Sequence, residues 1–167
     1  MWFIYAWTRL DVLITSTYYN SLLPHHLQLF LSDDDLNAGL YEGMVTGRRL
    51  FGSSQVPHGH GTIHYFTNDK YNRDNYTGSW MDGNRQGNGT TYFRDGSSYS
   101  GEYADSLENG VGVITYANGD VLDGNFVDGM IEGHAVLRYT NGDQREGFYA
   151  MNKLDGQVRY TVQFGIV

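Results

Sequence analysis

Residues 87–103 read "GNGTTYFRDGSSYSGEY". Glycine returns at Gly87, Gly89, Gly96 and Gly101, with Tyr92, Phe93, Tyr99 and Tyr103 between them. Glycine weakens helix and strand interiors alike, whereas rings favour burial. A structure that needs both in alternation must supply a hole for each ring.

The stretch is one copy of a repeat. Gly78, Gly101, Gly124 and Gly147 stand 23 residues apart, and Gly87, Gly110, Gly133 and Gly156 follow them in phase. Phe93, Tyr116 and Tyr139 share a later phase, with Val162 in the fourth copy. Asp95-Gly96, Asn118-Gly119 and Asn141-Gly142 come next, and Asp82-Gly83 and Asp128-Gly129 give a second set of such pairs. An earlier copy runs through "HGHGTIHYFTNDKY" at His58–Tyr71, and "YEGMV" at Tyr41 starts another.

Within a unit the apolar positions alternate at strand period. Tyr76, Gly78 and Trp80 fall on one face, as do Tyr99, Gly101 and Tyr103, then Leu122, Gly124 and Phe126. The last first strand carries Gly147 and Tyr149. The second strands repeat the alternation with Gly87 and Gly89, then Gly110, Gly112 and Ile114, then Gly133, Ala135 and Leu137. Asp-Gly and Asn-Gly are the preferred residues of two-residue hairpin turns, which need positive φ. Two turn signals per unit predict two antiparallel strands per unit. The in-strand glycines are expected to admit a ring from a neighbouring strand, as in aromatic rescue. The expected fold is all-β: an elongated, single-sheet antiparallel β-meander of about 23 residues per repeat, growing by one hairpin each time.

Composition divides the chain at residue 38. All 22 glycines lie at or after Gly39. Residues 39–167 are read as the repeat domain, with five to six units, the first two carrying insertions. Residues 1–38 are a leader outside the repeat phase, expected to be poorly packed, with a short helix around Leu27 to Leu31, and not to complete the sheet. No basic residue precedes its apolar start, so it does not fit a secretory signal. The run from Val12 to Ser32 holds Asn20, Pro24, His25, His26 and Gln28 and is too polar for a membrane span.

The pattern Tyr-x-Gly-x-aromatic, Gly-x-Gly-x-x-x-Tyr, Asn/Asp-Gly resembles the MORN repeat from Tyr41 to about Val162. The segments "VPHGHGTIHYF" and "FRDGSSYSGEYADSLENGVGVITYANGDVLDGNFVDGMIEG" also resemble the N-terminal repeat domain of a SET-domain histone-lysine methyltransferase. The resemblance implies a repeat module beside an enzyme. The Asn-His-Ser-type cofactor segment of a SET domain is not found before the chain stops at Val167, so no catalytic residue and no cofactor are expected.

Other chemistry is weighed against the repeat. His58, His60 and His64 alternate on one strand, but nearby sequence fixes no carboxylate beside them, and no metal site is assigned. "GHG", "GNG" and "GVG" lack the further residues of a phosphate loop and occupy one repeat phase. Asp120 and Asp123 recur with turns, and a single sheet offers no glycosidase cleft. Asn75 and Asn88 begin glycosylation acceptor triplets, yet without an entry signal an intracellular location, cytoplasmic or nuclear, is expected. Formal net charge is −8, and cysteine is absent. Of 11 Lys+Arg and 19 Asp+Glu, only Arg9, Asp11, Asp33, Asp34 and Asp35 precede residue 41, leaving ten basic against fifteen acidic side chains. That balance excludes a phosphate-neutralising stripe for nucleic acid. It also disfavours phospholipid binding, for which only Arg48 and Arg49 are adjacent. The expectation is a non-catalytic scaffold for a protein partner. The alternatives are a methyltransferase lacking its catalytic domain and a phospholipid-binding module.

Overall fold

The computed structural model describes residues 27–31, 39–46 and 56–163. Among them eleven strands lie side by side in one antiparallel sheet, in sequence order. They are β1 (Leu27–Leu31), β2 (Gly39–Thr46), β3 (Val56–Tyr65), β4 (Arg73–Met81), β5 (Asn84–Phe93) and β6 (Ser98–Ala104). Then come β7 (Leu107–Thr115), β8 (Val121–Val127), β9 (Met130–Arg138), β10 (Gln144–Ala150) and β11 (Lys153–Thr161). The expected β-meander is what the chain forms.

The leader differs from its reading. Leu27–Leu31 is a strand, not a helix, and pairs with β2 from Leu27↔Gly43 to Leu31↔Gly39. Five residues cannot pay back the cost of nucleating a helix, and leucine at every second position suits a strand. The open edge of β2 supplies the backbone partners, so the sheet begins before residue 39. The rest of the leader lies outside the described residues.

Tight turns close each unit. Asp82-Gly83 and Asp128-Gly129 have both φ values positive, as the two-residue reading requires. Asp105-Ser106 (φ 47° and 69°) and Met151-Asn152 (φ 49° and 67°) make the same turn without glycine. The pairs Asp95-Gly96, Asn118-Gly119 and Asn141-Gly142 are not two-residue turns. They lie in connections spanning residues 94–97, 116–120 and 139–143, where only the glycine has positive φ. A ladder bond from Tyr116 N to Asp120 O (2.9 Å) closes such a loop, and a second bond, from Gly119 N to Tyr116 O (2.8 Å), tightens it.

Each unit is stitched to the one before. The second turn residue donates its N–H back across a repeat: Ser106 to Arg85 O (3.0 Å), Gly129 to Glu108 O (2.9 Å), Asn152 to Ile131 O (3.1 Å). At the other end, Asp120 Oδ1 accepts from Thr140 N (2.9 Å) and Asp143 Oδ1 from Gln163 N (2.9 Å).

Apart from the turn glycines Gly83 and Gly129, the repeat glycines fall into three structural roles. Gly78, Gly89, Gly101, Gly112 and Gly124 form one continuous cross-strand row that starts at Gly43 and Gly61. It continues through Ala135 and Gly147 to Val158. Gly110 sits in a bulge: β7 uses four steps, Gly112 to Glu108, where β6 uses two, Gly101 to Tyr103. Its φ of +97° is left-handed space that glycine enters without Cβ strain. Gly87, Gly133 and Gly156 take the equivalent place in the other units. Gly96, Gly119 and Gly142 belong to the longer connections.

Rings cover the row. A Cβ added at Gly112 would meet only the Tyr99 ring among its nearest atoms, with Cε2 at 2.5 Å. Tyr99 reaches Gly112 from the neighbouring strand, as expected. The ring over Gly101, however, is also Tyr99, from Gly101's own strand, and the Gly112 Cα stands equally near at 2.6 Å. A strand-period side chain two residues away leans along its own strand, so the ring over Gly101 does not come from a neighbouring strand. Tyr41 and Tyr76 repeat this over Gly61 and over Gly78 with Gly89.

Candidate functional site

The ring face is built by a zigzag of edge-to-face contacts. Tyr41 meets Trp80 (5.3 Å), Trp80 meets Tyr76 (5.2 Å), and Tyr76 meets Tyr103 (5.0 Å). Tyr103 then meets Tyr99 (5.3 Å), and Tyr99 meets Phe126 (4.9 Å). Edge-to-face pairs add stability beyond their buried area. All six rings are buried, as is Tyr149 further along. Phenol hydroxyls reach back to the backbone three residues on: Tyr41 to Met44 O (2.7 Å), Tyr76 to Ser79 O (2.9 Å), Tyr99 to Glu102 O (3.0 Å). Burial pushes Tyr41 up to about 12 and also raises Tyr76, Tyr99 and Tyr103.

Above this floor lies a groove of about 900 Å³, with Phe93, Leu107, Ile114 and Tyr116 among its lining residues. Phe93 and Tyr139 are partly buried against the core, while Tyr116 and Leu107 stay substantially exposed. The repeat residues predicted from sequence thus make the core, the glycine row, the bulges and the groove wall.

Sequence reading missed the charged floor. Arg73 and Arg85 are 3% and 4% exposed. Arg73 pairs with buried Asp69 at 2.6 Å and lies 3.8 Å from the Tyr65 ring centroid. Burial alone would push the Asp69 carboxyl up, but bonds from Arg73 and from Tyr71 N–H outweigh it and hold the carboxyl below its usual range. Arg85 donates to Ser106 O and Thr91 Oγ1 and lies beside both the Tyr76 and Tyr103 rings, 5.5 and 5.1 Å from their centroids. The Tyr65 hydroxyl is buried without a partner. Arg85 shares its phase with Glu108, Ile131 and Leu154, each facing the second ring of its unit across the ladder. That register was the available signal.

His58, His60 and His64 are exposed on β3, and His58 Nδ1 approaches Asp82 Oδ1 at 3.3 Å. Among the described residues no three His, Asp or Glu side chains could hold a metal ion together, and no helix is long and apolar enough to cross a membrane.

One sheet that grows by hairpins, with a row of rings over a row of glycines, defines a β-meander repeat protein. The chain carries MORN repeats: a family-level comparison matches the MORN repeat at residues 56–70, 76–98, 99–121 and 123–144. A search among curated proteins returns no match.

Proposed function

We propose that the chain is a non-catalytic interaction module whose groove seats a segment of a protein partner. The aromatic groove over Phe93, Ile114 and Tyr116 carries this reading, since exposed rings on a preformed frame are what protein interfaces enrich. Repeat sheets of this kind offer extended binding surfaces rather than reaction centres. Phospholipid recognition fits less well. Arg94, Arg138 and Arg159 are each engaged with a carboxylate instead of forming a basic cluster.

Affinity capture with chemical cross-linking tests the reading. Wild type and Val111→Asp, an exposed change outside the groove, should retain the same partner. Tyr116→Arg should lose it at unchanged melting temperature. Equal capture by all three chains overturns the groove as the binding surface. Cofactor-dependent methyl transfer to lysine by the purified chain would overturn its non-catalytic character.

A further inference from the structure

Two guanidinium groups lie in the groove floor, and they are treated differently. Arg73 has Asp69 against it. Arg85 is as buried, yet no carboxylate lies within ion-pair distance of it among the described residues. Its Nε has no hydrogen-bond partner. Of five guanidinium N–H donors, the described bonds to Ser106 O and Thr91 Oγ1 use two, the second long at 3.4 Å. Arginine cannot shed its proton to escape burial. A buried cation without a counterion is costly, and two ring faces at 5.1 and 5.5 Å compensate only in part.

We propose that Arg85 is an anion-reading site in the groove floor, and that the partner segment presents an aspartate or glutamate side chain flanked by apolar residues. This rests on the groove as the binding surface and adds what the groove selects. Arg85 lines the groove, so an incoming carboxylate reaches its spare donors while neighbouring apolar groups cover Leu107, Ile114 and Phe93. The guanidinium fork matches a carboxylate. A dianionic phosphate fits the charge balance less well, because Asp95, Glu108 and Asp120 line the same groove. Asp95 and Asp120 already hold turn donors, at Ser97 and at Thr140 and Asn118, and Glu108, one hairpin on, is not within ion-pair distance of Arg85.

The test follows the Arg85 Nε–H signal by NMR in the full-length, arginine-labelled chain, assigned by its loss in Arg85→Lys. The probes are 3-phenylpropionate, its neutral amide and phenyl phosphate. The carboxylate should shift the signal saturably and bind about tenfold more tightly than the amide, the scale of one charge-assisted hydrogen bond. Phenyl phosphate should bind more weakly than the carboxylate. Equal affinities for acid and amide, or no shift at Arg85, overturn the proposal, and so does tighter binding of phenyl phosphate. If Arg85→Lys does not fold, through-bond correlation from the Arg85 backbone assigns the signal, and the wild-type titration still decides. Failure here leaves partner capture by the groove intact, and failed capture leaves this readout standing.

Discussion

The third and fourth hairpins solve the same packing problem with different residues. In β6–β7, Tyr99 lies over Gly112; in β8–β9, Leu122 stands in the tyrosine place and Ala135 in the glycine place. In β10–β11 the pair becomes Arg145 and Val158. Where the phenol is lost, the facing residue gains carbon atoms. The glycine is therefore a partner to the ring and not a general requirement of the strand. Core packing conserves summed volume more strictly than identity.

The hardest blow to the tyrosine–glycine half is Gly101→Val. Its Cβ would stand 2.6 Å from the Gly112 Cα, a backbone neighbour that cannot rotate away. Valine's strand preference is worth up to about 1 kcal/mol and the overpacking about 3 kcal/mol, so a net loss of about 2 kcal/mol or more is expected. Ser100→Val, on the exposed face beside it, should stay within about 0.5 kcal/mol of wild type. Urea midpoints of the two decide, and a Gly101→Val midpoint at or above wild type breaks the socket account.

A double-mutant cycle sharpens the contrast. The three atoms nearest a Cβ at Gly112 all belong to Tyr99, so Gly112→Ala should cost about 2 kcal/mol alone and little in a Tyr99→Leu background, which recreates the Leu122–Ala135 pair. A coupling energy of about 1.5 kcal/mol is expected. Strict additivity would show that the two hairpins differ for some other reason.

Alkali should also separate the halves. Burial raises Tyr41, Tyr76, Tyr99 and Tyr103 above the ordinary phenol value near 10. Their contribution is fully present below about pH 10 and is lost as pH climbs through the folded values, at about 1.4 kcal/mol per pKa unit for each phenol. Hydrogen exchange between pH 10 and 12 should therefore show β2–β7 losing protection before β8–β11. Uniform loss, or loss from the C-terminal end first, contradicts the assignment.

The smallest effect concerns β1. Deleting residues 1–36 removes a five-residue strand from the β2 edge and should lower the melting temperature by about 2–4 °C, roughly 1 kcal/mol. No change would mean that the β1–β2 pairing carries no stability.

These comparisons also mark what sequence could reveal. The 23-residue phase placed the hairpins from β4 onward, because ring and glycine signals recur together even where the turns at Asp105-Ser106 and Met151-Asn152 carry no glycine. It did not reveal β1, whose five residues carry no glycine and no turn signal. The edge it joins is a property of the folded sheet. Asp95-Gly96 and Asp82-Gly83 are alike as dipeptides, and connection length, not composition, separates their turns. Arg85 was passed over because one charged residue among polar ones reads as solvated. Register opposite Trp80 puts it on the ring face.

The glycine row also sets how the sheet can deform. From Gly43 to Gly124 seven consecutive strands lack a Cβ in this row, so the backbone there is a crease running across the strands. Flexing about that line toward the rings drives Tyr41, Tyr76 and Tyr99 into the backbone they already touch, and they act as stops. Flexing the other way carries these three rings away from that backbone. The N-terminal part of the groove is thus compliant toward splaying and stiff toward pinching. Past the crease, Ala135 and Val158 restore side chains and brace the C-terminal strands like a splint.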